Sequence, residues 1–441
     1  MKPQSLLTLA ILLSLGVSGC DGGRENPPNV TVSFIHAAPS QGVISVRRQE
    51  RLEADLSYRE SGTASFDADT YDFHFDIVPA GAAPVRAVSF THELVPETDY
   101  TIVATEIGGQ FQQLIVEAPS FDPDSTSAQV ASLHVAPTLG AVDVFLEAPG
   151  AVLLSAVPLG TISFGEDLAP GTTGAGDYEF TVTAVASPAT VLLRSTPFTL
   201  AAGQAALFAI IGGANEGLAP LSVTVTGGAN FSFVDSSLLS GIRVINAISD
   251  RSVLDVGIDN EFSPPLFPAV VFDSVSAYSL IAPGMHDLTA RSTVNPAVSE
   301  MAFPFALDAG RLGTFFIANA PGATATSFSV DDRRPIAGEA KISLYNAAQL
   351  FVFVDIFIAP SGTDLNTVLP AASLLPGGSL PGLPIAEGVF DVTMRDGGTE
   401  TVLAGPTPIT LNAGGFYGIL ITDSVGAPGA TVDLNLLDDF P

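Results

Sequence analysis

Five histidines, a single cysteine and 46 acidic side chains are the groups in this chain that could carry chemistry. Two histidines stand in matched surroundings, His36 in HAAPSQGVISV (36–46) and His134 in HVAPTLGAVDV (134–144). The same pattern returns with asparagine, as NAISDRSVLDV (246–256) and NAAQLFVFVDI (346–356). A metal ligand or general base would have to survive in every copy that does the job, yet half the copies carry an amide. What His and Asn share is a short polar arm that bonds nearby backbone in a turn. The corner formed by His36, His134, Asn246 and Asn346 is therefore read as structural. Asp143, Asp255 and Asp355, nine residues further on and Ser45 in the first copy, read as turn or edge solvation.

The other candidates are weaker. His92-Glu93-Leu94-Val95-Pro96 begins like a zinc-protease HExxH helix, but Pro96 stands where the second histidine belongs. Asp67, Asp69 and Asp72, and the pair Asp122 and Asp124, could offer oxygens to calcium but lack the glycine and distal glutamate of an EF-hand loop. No GxSxG elbow, P-loop or GxGxxG fingerprint is present. The expectation is no catalytic residue, no metal and no cofactor. A hydrolase built from cross-strand Asp and Glu is the enzymatic alternative, and it needs a concave pocket holding two carboxylates. A sugar-binding module is disfavoured by seven Tyr and no Trp.

The elements that must position these groups are strands. Hydrophobic residues make up 47% and charged ones 14%, with 42 Gly and 33 Pro throughout, which suits short apolar strands joined by tight turns. Runs such as Tyr178-Glu179-Phe180-Thr181-Val182 alternate as strands do. The fold class expected is all-β. A formal charge of −30 repels polyanions over the whole surface, so nucleic acid is excluded as a partner. The acidity reads first as solubility in an extracytoplasmic setting, with dispersed calcium sites as the alternative.

Residues 1–19 comprise a basic start at Lys2, an apolar run from Leu6 to Val17, then Ser18-Gly19 before Cys20. The run is too short to span a bilayer as a mature helix and has the length of a signal-peptide core. Val17-Ser18-Gly19-Cys20 resembles the lipobox of bacterial lipoproteins. That resemblance implies cleavage after Gly19 and acylation of Cys20, which holds the mature chain on a membrane. Asp21 resembles the inner-membrane retention signal of some Gram-negative bacteria. With Cys20 the only cysteine, no intrachain disulfide can form. Residues 20–29 read as a flexible linker.

The four openings start 98, 112 and 100 residues apart, so each copy should be a complete domain with its own core. The spacing predicts β-sandwiches over 30–128, 129–240, 241–337 and 338–441, displayed in a row. A second segment recurs late in each copy, from Leu94, Leu200, Leu307 and Leu411. It places Gly203, Gly310 or Gly414 at a turn that needs positive φ, with Glu97 in the first copy. Between these lie DTYDFHF (69–75), GDYEFTV (176–182), GMHDLTA (284–290) and GVFDVTM (388–394). About 100 residues per unit is the budget of a seven-stranded immunoglobulin-like sandwich. In the absence of Trp, the 28 Phe are expected to supply most of the large core volume.

The openings also resemble the bacterial domain-of-unknown-function family 4397, whose members begin with a strand, a His-Ala-Ser-Pro-like corner and a Val-Asp-Val strand. His36-Ala37-Ala38-Pro39 and His134-Val135-Ala136-Pro137 fit that pattern best, while the later copies lose the proline. The resemblance implies tandem β-sandwiches on an envelope-associated protein and implies no reaction. Together these readings predict a non-enzymatic binding or structural module, anchored through Cys20 at the inner or outer membrane, with an envelope or extracellular protein partner. The alternative is a surface adhesin or ligand-binding protein.

Overall fold

A computed structural model describes residues 29–437, apart from 123, 215–216, 229, 249–252, 296–298, 321–322 and 424–431. Gly19 and Cys20 lie outside the described residues. All regular structure described is β-strand except one 3-10 turn at Leu153–Ser155.

The first unit contains β1 (Asn29–His36), β2 (Val43–Arg48), β3 (Arg51–Leu56), β4 (Ser61–Asp67), β5 (Thr70–Val78), β6 (Val85–Glu93), β7 (Thr98–Ile107) and β8 (Gln110–Pro119). They form two four-stranded sheets, ordered β4-β1-β7-β8 and β3-β2-β5-β6. This is one strand more than a seven-stranded sandwich needs. β1 runs parallel to β7, with Val32 opposite Tyr100 and His36 opposite Ala104, and every other pairing in the unit is antiparallel. The plan recurs in the later units, which open with Ser127–Val135, Ser240–Ala247 and Glu339–Asn346. Each opening strand is parallel to a late one, respectively Ala205–Gly212, Leu312–Ala320 and Phe416–Asp423.

Each unit encloses its own core. Phe34, Phe73 and Phe75 fill the first, and Phe180 stacks on Phe208 at 4.5 Å in the second. The fourth core departs from expectation, because its fully enclosed members are aliphatic, among them Ile342, Leu344, Met394 and Ile419. One column shows the difference. Phe73, Phe180, Leu288 and Val392 hold the same place in their strands, all fully buried, and share their cores with Ile102, Phe208, Phe315 and Ile419 of the opposite sheet. Units 1 to 3 keep at least one phenylalanine in this column, and unit 4 fills it with aliphatic side chains alone.

The units do not stand in a row. Along β1, Val30, Val32 and Phe34 point into the first unit's own core, while Ile35 points the other way. Ile35, Val103 and Val116 pack there against Leu133, Val135, Leu207 and Ile211 of unit 2. Seven large aliphatic side chains buried across one boundary contribute on the order of 10–20 kcal/mol before ordering costs. A contact of this size and character makes a fixed pair rather than two beads on a string. Units 3 and 4 pair through the equivalent sheets, with Ile245, Phe316, Tyr345 and Leu420 at the centre and the Phe316 and Tyr345 rings 5.2 Å apart.

The two pairs then stack end to end. The corner loop of unit 1 receives Arg334, whose Nη1 donates to Pro39 O (3.0 Å) and to Gln41 O, while Ala337 N donates to Ser40 O at 2.8 Å. On the other side Leu218 N donates to Gly310 O at 2.7 Å, and Gly217 approaches so closely that an added Cβ would lie 2.4 Å from that oxygen. The result is a block, two units wide and two tall, with unit 4 above unit 1 and unit 3 above unit 2.

At the turn shared by all copies Gly203, Gly310 and Gly414 adopt φ of 75°, 70° and 73°, and Glu97 adopts 59°. A side chain in this left-handed region costs about 1–2 kcal/mol. Glu97→Gly is expected to raise the denaturant midpoint, by about 0.5–1 kcal/mol once the added freedom of the unfolded chain is counted. Leu133→Ala, at a fully buried site between units, is expected to cost roughly 2–5 kcal/mol in the same measurement. A cost near zero would mean that the paired face is not closed in solution.

Candidate functional site

The corner residues are all fully buried, and each is held by two hydrogen bonds. In unit 1 the Ala38 amide donates to His36 Nδ1 at 3.2 Å, and Nε2 bonds Gly42 O at 2.8 Å. Unit 2 repeats this, Ala136 N to His134 Nδ1 at 3.2 Å and Nε2 to Gly140 O at 3.1 Å. These contacts require the neutral ring with its proton on Nε2. In unit 3 the Asn246 Oδ1 accepts from Ile248 N (3.1 Å) and Nδ2 donates to Val270 O (2.9 Å). In unit 4 Asn346 accepts from Ala348 N (3.0 Å) and donates to Leu374 O (2.8 Å). The acceptor half is identical in all four. The donor half differs, because imidazole spans the corner loop to residue i+6, whereas the shorter amide reaches a neighbouring strand. With both nitrogens engaged and no exposure, the rings offer neither a lone pair nor a proton to a ligand.

Burial pushes the His36 imidazole down to about 4, the bond to Gly42 opposing the shift and the Arg334 charge adding to it. His134 is lowered as well, chiefly by burial.

The repeated aspartates are engaged in the same manner. Asp143 accepts from Thr161 Oγ1 (2.5 Å) and Ala186 N (2.7 Å), Asp355 from Ser373 Oγ and Gly398 N (2.8 Å), and Asp255 from Ala269 N (2.9 Å). Asp143 and Asp355 tie a turn amide, and Asp255 an amide at a strand irregularity, to the second strand of their unit. Ser45 donates instead to Asp55 at 2.5 Å. Asp69 and Asp72 bond Thr70 N and Thr91 Oγ1, and Asp122 bonds Asp124 N. His92 lies on β6, a strand and not a helix, with Nε2 3.4 Å from Glu117. Among the described residues no three His, Cys, Asp or Glu come together in a way that would hold a metal ion.

What the residue patterns did not reveal is a cluster of cations where the units meet. Arg47, Arg59, Arg243, Arg311, Arg333, Arg334 and Lys341, seven of the 16 basic residues, line three clefts around the junction. A cavity of about 150 Å³ is bounded by Arg243, Arg333, Lys341, Asp331, Tyr278 and Phe416. A cleft of about 520 Å³ is lined by Tyr58, Arg59, Arg311 and Asp332. A third, about 670 Å³, runs between units 1 and 4 beside Arg47, Asp55, Arg334 and Glu339.

Aromatic faces order the cations. The guanidinium of Arg243 sits 4.9 Å from the Tyr278 ring, that of Arg334 4.9 Å from Tyr58, and that of Arg333 5.3 Å from Phe416. Anions complete the network. Asp331 accepts from Thr314 (2.6 Å) and Tyr278 (2.7 Å), Lys341 Nζ contacts Asp332 at 2.6 Å, and Glu339 accepts from Ala80 N across the unit boundary at 2.5 Å. Burial, reinforced by the Asp331 charge, raises the Tyr278 phenol so that it stays a donor. The carboxylates in these clefts accept from protein donors, so the arrangement fastens units together. The run Asp331-Asp332-Arg333-Arg334, charged in a chain with few charges, was the sequence signal available for this junction.

The buried His36 ring makes stability depend on pH. Below its ordinary value of 6.5 the unfolded chain takes up a proton that the folded corner refuses. Stability present above pH 6.5 is therefore lost as pH falls toward 4, by roughly 3 kcal/mol from this group. The stability gap between wild type and His36→Asn should narrow over that range, read as unfolding midpoints at pH 7, 5.5 and 4.5. Parallel losses in the two proteins would count against it.

The family model described as Domain of unknown function (DUF4397) matches residues 28–145 and again 240–357, more than half of the chain. Each match takes in an odd-numbered unit and runs on into the second strand of the unit after it, Val142–Glu147 or Val354–Ala359. A comparison with curated proteins found no match. By its two matched stretches, and with the same strand plan in all four units, the chain belongs to the DUF4397 domain family.

Proposed function

We propose that this chain is a lipid-anchored protein of a bacterial cell envelope that acts as a binding or structural module and not as an enzyme. The observation that carries the reading is the fusion of four sandwiches into one block by two apolar cores and a charged junction. A catalytic protein needs polar groups left ready for a substrate. Here the repeated polar residues, His36, His134, Asn246 and Asn346, are engaged by backbone groups of their own units. The lipobox-like Val17-Ser18-Gly19-Cys20 supports attachment through an acylated Cys20. Two or more acyl chains give stable anchoring, where one gives only marginal binding. No described helix is long and apolar enough to cross a membrane. The net charge of −30 disfavours nucleic acid and leaves an envelope or extracellular protein as the partner.

Growth with radiolabelled palmitate is expected to label the wild-type chain in the membrane fraction and to leave Cys20→Ala unlabelled and soluble after cell lysis. Label retained by Cys20→Ala would overturn the anchoring. Protease added to whole cells separates the two settings, since it removes an outward-facing adhesin and spares a periplasmic module.

A further inference from the structure

A long uncharged stretch of unit 2 lies at its tether-facing end. From Ala148 to Gly165 no residue carries a charge, although 14% of the chain does, and the segment 148–159 reads Ala-Pro-Gly-Ala-Val-Leu-Leu-Ser-Ala-Val-Pro-Leu. Val152, Leu154, Val157 and Leu159 are 66%, 75%, 81% and 49% exposed. The loop is nevertheless built. Leu153 turns inward and is buried, the 3-10 turn Leu153–Ser155 sits at its centre, and Ala151 N, Ser155 N, Ala156 N and Leu159 N all donate to backbone carbonyls. These hydrogen-bonded turns hold the apolar side chains outward, where they can enter a lipid surface while the backbone stays at its interface. The same connection in unit 1 is the tight turn between Arg48 and Arg51.

Strand registers place this loop at the end where the chain enters. Asn29 begins β1, and Pro119, opposite Thr98, lies level with it; eight residues later Ser127 begins unit 2 at that same end. Ser127 is opposite Gly174, and Glu147, which precedes the loop, is opposite Glu179 just beyond. Thr31, Tyr100 and Ala118 of unit 1 share a cleft with Gln129, Gly203 and Ala205 of unit 2, so the two units point the same way. Residues 21–28 span at most about 29 Å when extended.

Resting on the anchored reading above, we infer that loop 148–159 is a second membrane contact, which dips Leu154 and Val157 into the lipid surface beside the tether. Charge selects this occupant. An acidic protein held against a bilayer meets it most readily with a face that strips water from no carboxylate.

The test uses residues 20–441 carrying Cys20→Ala and an N-terminal hexahistidine, held on phosphatidylcholine vesicles by a nickel-chelating lipid. This tether holds the chain by its entry point whether or not Cys20 is acylated in cells. The readout therefore stands apart from the palmitate experiment, and either can fail alone. A single bimane probe is placed at Val157→Cys or, in a second protein, at Val294→Cys. Val294 is 84% exposed and follows strand Gly284–Ser292, whose Ser292 lies opposite Leu254 just past the Asn246 corner, at the far end of the block. The expected result is a drop of roughly threefold or more in iodide quenching at residue 157 on vesicles, with quenching by brominated phosphatidylcholine, and no change at residue 294. Equal iodide access at both positions on vesicles would overturn the contact and would leave the loop a surface for protein partners.

Discussion

The opening sheet of every unit has two apolar faces, and one sandwich can cover only one of them. In β1 the residues Val30, Val32 and Phe34 are matched on the opposite face by Ile35, and in unit 2 Ala128 and Val130 are matched by Leu133 and Val135. A sheet buried on both sides must find a second layer outside its own domain. The partner chosen is the same sheet of the neighbouring unit. From this follow the pairing of units 1 with 2 and 3 with 4, and the even number of copies within one closed body.

The second level of assembly is held differently. Where the pairs stack, contacts are charged and backbone-directed, with Arg334 bonding the corner loop of unit 1 and Glu339 bonding Ala80. Four acidic domains repel one another, and concentrating cations at their meeting point offsets that repulsion where it would be greatest. His36 links the levels, since the loop it closes from within is the loop that Arg334 grips from outside.

Much of this was legible in the residues. Alternation gave the strands, the spacing of the corners gave four units, and the exchange of His for Asn gave the corner its bonding pattern before any geometry was known. Pairing was not legible, because whether Ile35 or Leu133 meets water or another domain depends on residues a hundred positions away. The junction was hidden for the same reason, Arg59, Arg243, Arg311 and Arg334 being scattered along the chain and joined only by the stacking of units. The Phe-filled core was read correctly for the first three units and not the fourth, where Val392 and Ile419 stand in a column that Phe73 or Phe180 occupies elsewhere. Composition counts residues and does not say which unit receives them.

The pairing of sheets also sets a timetable. Unit 1 can close its inner core as soon as its own strands exist, but Ile35, Val103 and Val116 have no cover until unit 2 has been made. At about 5–20 residues per second, the hundred or so residues that follow take roughly 5–20 s to appear. For that interval every new molecule presents a greasy wall to its neighbours, and the same wait recurs when unit 3 emerges before unit 4. Synthesis of this architecture thus uncovers an apolar sheet face twice per chain, at moments dictated by its own geometry.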